Sequence, residues 1–169
     1  ILGQTIRESR LCGGEFTLGS ETIRATVIGA GCHSAQLSGS TVFHQNVPFP
    51  LKNVPVVSLA DISRETIRRE LSKQEDSAIL AFPGLSSPGY REVAAMAEEI
   101  AAGTGGNALI CLEQDMAKAL GQALALRIGC NAQILCIDRV KVSEGSYLDV
   151  GAPVGPALPV VVKTLVLGK

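Results

Sequence analysis

Glu21-Thr-Ile-Arg-Ala-Thr-Val-Ile-Gly-Ala-Gly-Cys-His-Ser-Ala-Gln-Leu37 is the stretch on which the reading of the fold turns. Two structures compete for it. Thr22 to Ile28 is rich in β-branched residues, which suit a strand. Ile23, Val27, Ala30, Ser34 and Leu37 instead recur at spacings of 4, 3, 4 and 3, which is one face of a helix. Ser20 suits the N-cap, Glu21 the first turn and Ser38-Gly39 the end. The helical reading is favoured over 21–37.

That choice bears on function. Gly29-Ala30-Gly31 looks like the start of a dinucleotide fingerprint, in which glycines let the backbone approach a pyrophosphate. The third glycine position holds Ser34, and no acidic residue lies between Glu21 and Asp61 to take a ribose. The helical stripe runs through the glycines, so a small-residue packing face is the stronger reading. A Rossmann-like nucleotide-binding module and a purely structural or interaction module stay as the alternatives.

Working outward, Ile1–Leu11 reads as a helix stopped by Cys12-Gly13-Gly14, and Glu15–Leu18 as a short strand. Thr41–Gln45 reads as a strand. Pro48, Pro50 and Pro55 then interrupt the chain, and proline resists both helix and central strand. This predicts a boundary between 1–46 and 47–169. Beyond it, strands at 54–59, 78–82, 108–112 and 132–137 alternate with helices at 62–73, 88–102 and 115–127. Glu65 and Arg69 are spaced as an i,i+4 pair on the first of these helices. The last helix is rich in Ala and Leu and is expected to be well buried. The pattern predicts an α/β fold, a parallel sheet covered on both faces. A β-rich segment follows Asp138, with short strands around Val140, Val142, Tyr147–Val150 and Pro159–Leu167.

The 169 residues carry 15 Lys and Arg against 16 Asp and Glu, and 46% are apolar. An apolar share of that size excludes a disordered chain. The balanced charge argues against nucleic acid as a main partner, and no run is long enough for a membrane span. Five cysteines at irregular spacings, without a C-x-x-C, suit free thiols in a reducing cytoplasm and no metal centre. The chain begins at Ile1 rather than Met and is read as a piece cut from something longer.

Two loops resemble chemistry. Phe82-Pro-Gly-Leu-Ser-Ser-Pro-Gly89 follows a strand and precedes a helix, like a nucleophile elbow. It is one residue too long for G-x-S-x-G, and both histidines, His33 and His44, lie upstream of the serines. The plainer reading is a loop in which Ser86 or Ser87 caps the helix. Glu113-Gln-Asp115 opens another helix at the carboxyl edge of the sheet, where open α/β sheets bind ligands. Ser86, Ser87, Glu113, Asp115 and Asp138 are the weak candidates for a polar ligand pocket there. The plainer reading has Asp115 capping its helix, with Lys118 within reach, and Glu113 facing water.

Several separated segments carry a family resemblance. They are Arg24–Gly31 with His33 and Leu37-Ser-Gly-Ser-Thr41, Pro50-Leu-Lys-Asn-Val-Pro55, and Glu113-Gln-Asp115 with Lys118-Ala-Leu-Gly121. Gly145-Ser-Tyr-Leu-Asp-Val-Gly-Ala-Pro153 and Pro159-Val-Val-Val-Lys-Thr-Leu165 complete the set. Together they resemble the C-terminal part of the EutA family, the reactivating factors of ethanolamine ammonia-lyase.

The resemblance implies an actin-like, Hsp70-type ATPase whose tail would occupy 1–46. The pattern Glu-x-x-x-Ala-x-x-x-Gly-Ala of such folds falls on Glu21, Ala25, Gly29 and Ala30. It implies a protein that uses ATP and Mg to release damaged cobalamin from its adenosylcobalamin-dependent partner, in the cytoplasm or a bacterial microcompartment. The family's phosphate loops are absent from these residues, so this portion is expected to be non-catalytic and to hold no cofactor itself. Ethanolamine ammonia-lyase is the expected partner, with a homo-oligomer left open.

Overall fold

The computed structural model describes residues 33–37 as backbone, and 42–155 and 157–164. Contacts divide the chain into Ile1–Gly31 and Cys32–Lys169, and every described residue lies in the second unit. The helix expected at Ile1–Leu11, the strand at Glu15–Leu18 and the Gly29-Ala30-Gly31 run fall outside the described residues.

Among the described residues, eight strands form one sheet: β1 (His33–Leu37), β2 (Phe43–Gln45), β3 (Leu51–Ser58), β4 (Ile79–Phe82), β5 (Ala108–Leu112), β6 (Ile134–Ile137), β7 (Tyr147–Val150) and β8 (Pro159–Lys163). Three helices connect the middle strands: α1 (Arg64–Leu71), α2 (Tyr90–Thr104) and α3 (Ala117–Ile128). The strand order is β1-β8-β7-β3-β4-β5-β6-β2. β3, β4, β5 and β6 run parallel in sequence order. Antiparallel strands flank them, with β7 on β3, β8 on β7 and β1 on β8 at one side, and β2 on β6 at the other.

The short parallel strands are continuous apolar runs because both their faces are covered. Alternate residues separate into two cores. Val57, Leu80, Phe82, Ile110, Leu112, Ile134 and Cys136 face the helices and pack with Ile67, Val93, Ala97, Ile100, Leu120 and Leu124. Val56, Ile79, Ala81, Leu109, Cys111, Leu135 and Ile137 face the other way. All three helices contribute to the first core. The second is closed by the sheet itself, which curls so that Leu148, Val150, Val160 and Val162 of β7 and β8 join it. Both faces are covered as the sequence predicts, and among the described residues helices cover one of them.

The structure corrects several sequence expectations. His33–Leu37, the end of the expected 21–37 helix, is a strand paired residue by residue with β8. Backbone pairing with a ready strand edge outweighs a helical spacing that is only a weak local preference. Residues 21–32 fall outside the described part. Phe43–Gln45 pairs with β6, and the segment with Pro48 and Pro50 connects it to β3. The contact boundary lies earlier, at Gly31/Cys32. Val140 and Val142 are in a loop rather than in strands, and Arg69 pairs with Glu70 rather than Glu65. The Ala/Leu-rich α3 is only half buried: Ala119, Gln122, Leu126 and Arg127 are exposed on its outer side.

Candidate functional site

The carboxyl ends of β3 to β6 meet at one edge, and the loops there hold every candidate residue. The β4–α2 loop turns at Gly84, whose φ of +79° suits glycine. It is tied to the β5–α3 loop by the Gln114 N–H bond to the Pro83 carbonyl at 3.0 Å and by the Leu85 N–H against Met116 Sδ at 3.3 Å. A cavity of about 140 Å³ lies beside these loops, lined by Ser58, Phe82, Pro83, Cys111, Glu113 and Val140, among others.

The five candidates do not converge on that cavity. Glu113 lines it, while Ser86 and Ser87 are exposed and do not. Asp115 is exposed and forms an ion pair with Arg139. Asp138 is fully buried, and its Oδ2 accepts the Ala117 N–H at 3.0 Å. The cap expected from Asp115 on α3 is thus supplied by the next strand. The cap expected from Ser86 or Ser87 on α2 is also absent. Glu92 Oε2 reaches back to accept the Gly89 N–H at 2.8 Å.

A rule emerges when α1 is added. Glu99 of α2 accepts the Arg64 N–H at 2.9 Å, at the first residue of α1. Each of the three described helices therefore begins against a carboxylate: Glu99 on α1, Glu92 on α2 and Asp138 on α3. Helix N-termini are the usual anion sites of α/β folds, because their N–H groups and dipole favour negative charge. Here that capacity is taken up internally. A nucleotide phosphate approaching α2 or α3 meets a carboxylate already seated there. The described residues contain no group of three His, Cys, Asp or Glu placed to hold a metal ion.

The two buried thiols, Cys111 and Cys136, are structural. Burial, reinforced by the charges of Glu113 and Asp138, pushes Cys111 up to about 12. Burial, with Asp138, raises Cys136 as well. Both remain protonated and pack as small hydrophobes.

A second polar centre lies on the curled side of the sheet. The β3–β7 pairing shifts register between Leu51 and Val54, and Asn53 occupies the bulge with a φ of +53°. Its N–H donates to Asp149 Oδ1 at 2.7 Å, and its Oδ1 accepts from Lys163 Nζ at 2.8 Å. Lys163 Nζ also pairs with Asp149 Oδ2 at 2.5 Å. Partial burial works to raise the Asp149 carboxyl, but the Asn53 N–H bond and Lys163 outweigh it and hold it below its ordinary value. Asn53, Asp149 and Lys163 come from three of the segments that carried the family resemblance, and they fasten β3, β7 and β8 together. No residue of this network was a candidate from sequence. The signal was their presence in those motifs, but only the sheet register reveals the contact. An open groove of about 590 Å³ adjoins it, lined in part by Lys52, Lys73, Asp76 and Tyr147.

Among the described residues, no helix is long and apolar enough to cross a membrane. No solved structure matches the chain. The family model described as "Ethanolamine utilisation protein EutA" matches residues 1–168. The chain is 34% identical to the ethanolamine ammonia-lyase reactivase EutA of Salmonella typhimurium, over 86% of its own length and 34% of that protein's. The reactivase of the same name in Escherichia coli K12 gives the same identity and coverage. The chain thus spans about a third of the length of the curated relatives it matches. It belongs to the EutA family of ethanolamine utilisation proteins.

Proposed function

We propose that this chain is the C-terminal part of an ATP-dependent reactivating factor that releases damaged cobalamin from ethanolamine ammonia-lyase. Its sheet unit acts as a protein-facing module rather than as the nucleotide site. The observation that carries the reading is 34% identity, over 86% of the chain, to proteins named as reactivases of that lyase. The second half of the reading is supported by the three helix N-termini, each closed by a carboxylate. In a two-state protein, the nucleotide biases one conformation and the partner distinguishes between the two. This portion contributes surface and rigidity to that division of labour, and neither a nucleophile nor a phosphate cradle. The actin-like tail expected at 1–46 rests on the resemblance alone. The expected location, the cytoplasm or a microcompartment, follows from the same family reading.

Immobilised chain should retain ethanolamine ammonia-lyase in a saturable manner, measured by surface plasmon resonance. Loss of all binding, with a full-length relative still binding, would place the contact elsewhere. Calorimetric titration of the chain with Mg-ATP should give no saturable heat. A saturable heat that is lost on substituting Ser86, Ser87 or Glu113 would overturn the assignment of this unit.

A further inference from the structure

Open α/β sheets bind ligands at the carboxyl ends of their strands, but there the N-termini of α2 and α3 already hold carboxylates. The opposite edge is built differently. A cavity of about 230 Å³ lies at the amino ends of β4, β5 and β6. Ala78, Leu80 and Leu109 supply its buried apolar lining. Ser77, Asn107 and Gln133, just before the three strands, supply its polar lining together with Asp76 and Thr104.

The electrostatics of this cavity favour a cation. Among the described residues, Asp76 is the one charged residue that lines it, and its carboxylate makes no hydrogen bond or ion pair with them. The last residues of α1 and α2, Leu71 and Thr104, also line it. Two helices thus bring the negative ends of their dipoles to the site. The basic residues near the end of α1 are engaged elsewhere. Arg68 donates to the Ala102 carbonyl at 2.7 Å, Arg69 and Lys73 pair with Glu70, and none of the three lines the cavity. A bare metal ion is a poor match, because hard cations gather six or more oxygen ligands and the volume is several times the ~30 Å³ of one water. An ammonium group suits it better, with three donors and no acceptor. The Thr104 hydroxyl spends its proton on the Ile100 carbonyl at 2.9 Å, so its oxygen is left to accept. Asn107 Oδ1 already accepts the Gln133 N–H at 3.0 Å, which leaves the Asn107 amide nitrogen to donate to a hydroxyl.

We propose that this cavity binds a small ammonium compound carrying a hydroxyl, with Asp76 balancing its charge and Leu80 and Leu109 against its carbon chain. Such a site needs no contact with the lyase and stands whether or not the chain is a reactivase. Calorimetric titration of the chain at neutral pH with ethanolamine as the probe should give saturable binding at one site. Ethylene glycol, of similar size but neutral, should give none, and propylamine, which lacks the hydroxyl, should bind more weakly. Asp76→Asn should weaken ethanolamine binding by about tenfold or more, as expected for losing a hydrogen bond to a charged group. Its melting temperature should not change, because Asp76 is exposed. Amide chemical shifts on titration should move at Ser77, Thr104, Asn107 and Gln133. Glu113→Gln, at the opposite edge, should bind as the parent chain does. No saturable binding, equal binding of ethylene glycol, an Asp76→Asn chain that binds as tightly, or shifts confined to the carboxyl edge overturns the proposal. So does displacement of ethanolamine by potassium and not by sodium, which would mark an inorganic cation site.

Discussion

Gly121 of α3 stands where Phe43 of β2 leaves no room for a side chain. A Cβ at position 121 would lie 2.4 Å from both Cβ and Cγ of Phe43. The obstructing atoms are close to the backbone, so a rotamer change cannot clear them. Alanine is otherwise the better helix former by about 1 kcal/mol. The clash nonetheless decides the sign. Gly121→Ala should destabilise the fold by about 1–3 kcal/mol, the usual range for overpacking. Urea denaturation measures this, and an unchanged or higher midpoint would show that β2 yields freely.

Removing the buried carboxylate of Asp138 leaves the Ala117 N–H without its acceptor. Asp138→Ala should cost about 1–3 kcal/mol, and Asp138→Asn less. Hydrogen exchange should show the loss first at the Ala117 amide. Protection there equal to the parent chain would mean that another group caps α3.

Glu99 joins α1 to α2 through Arg64, whose side-chain and backbone hydrogen bonds lower its pKa from an ordinary 4.5 to about 2. A carboxyl lowered by folding contributes stability above its unfolded value, and that contribution is lost as pH falls from 4.5 towards 2. Glu99→Gln should therefore flatten the acid limb of the stability profile in that window. Denaturation midpoints measured across the window test it, and parallel profiles for parent and variant would count against it.

Lys163 and Asp149 are both mostly shielded, at 16% and 28% side-chain exposure, so their pairing should exceed that of a surface ion pair. A double-mutant cycle with Lys163→Met and Asp149→Asn should give a coupling of about 1–2 kcal/mol. A coupling near zero would mean that Asn53 and water replace each partner in turn.

Among the described cysteines, Cys130 is exposed while Cys111 and Cys136 are buried and held protonated. Brief alkylation of the folded chain followed by peptide mass spectrometry should find label on Cys130, with Cys111 and Cys136 protected until denaturant is added. Early label on Cys111 would indicate local opening of the β5 edge.

Where a segment's apolar pattern and its burial coincide, the sequence was legible. The runs Ile79–Phe82, Ala108–Leu112 and Ile134–Ile137 could be read as buried strands because each is buried on both faces. The helices between them were legible for the complementary reason, a repeating inward face. His33–Leu37 was misread because its structure depends on β8, far along the chain. The candidate site was misread in a similar way. Asp115 sits at the start of α3 in sequence, yet Asp138 provides the cap, because the carboxyl end of β6 is brought beside that helix.

Apolar patterning and motif content by themselves determined an α/β chain of the EutA family. The tertiary structure alone decided that helices cover one face and curled strands the other. It also placed carboxylates on the helix N-termini and brought Asn53, Asp149 and Lys163 into contact. The physical reason is range. Hydrophobic periodicity and turn chemistry act over a few residues and are written locally. Capping from a neighbouring strand, cross-strand ion pairs and the fit of Gly121 to Phe43 exist only once distant segments share a register.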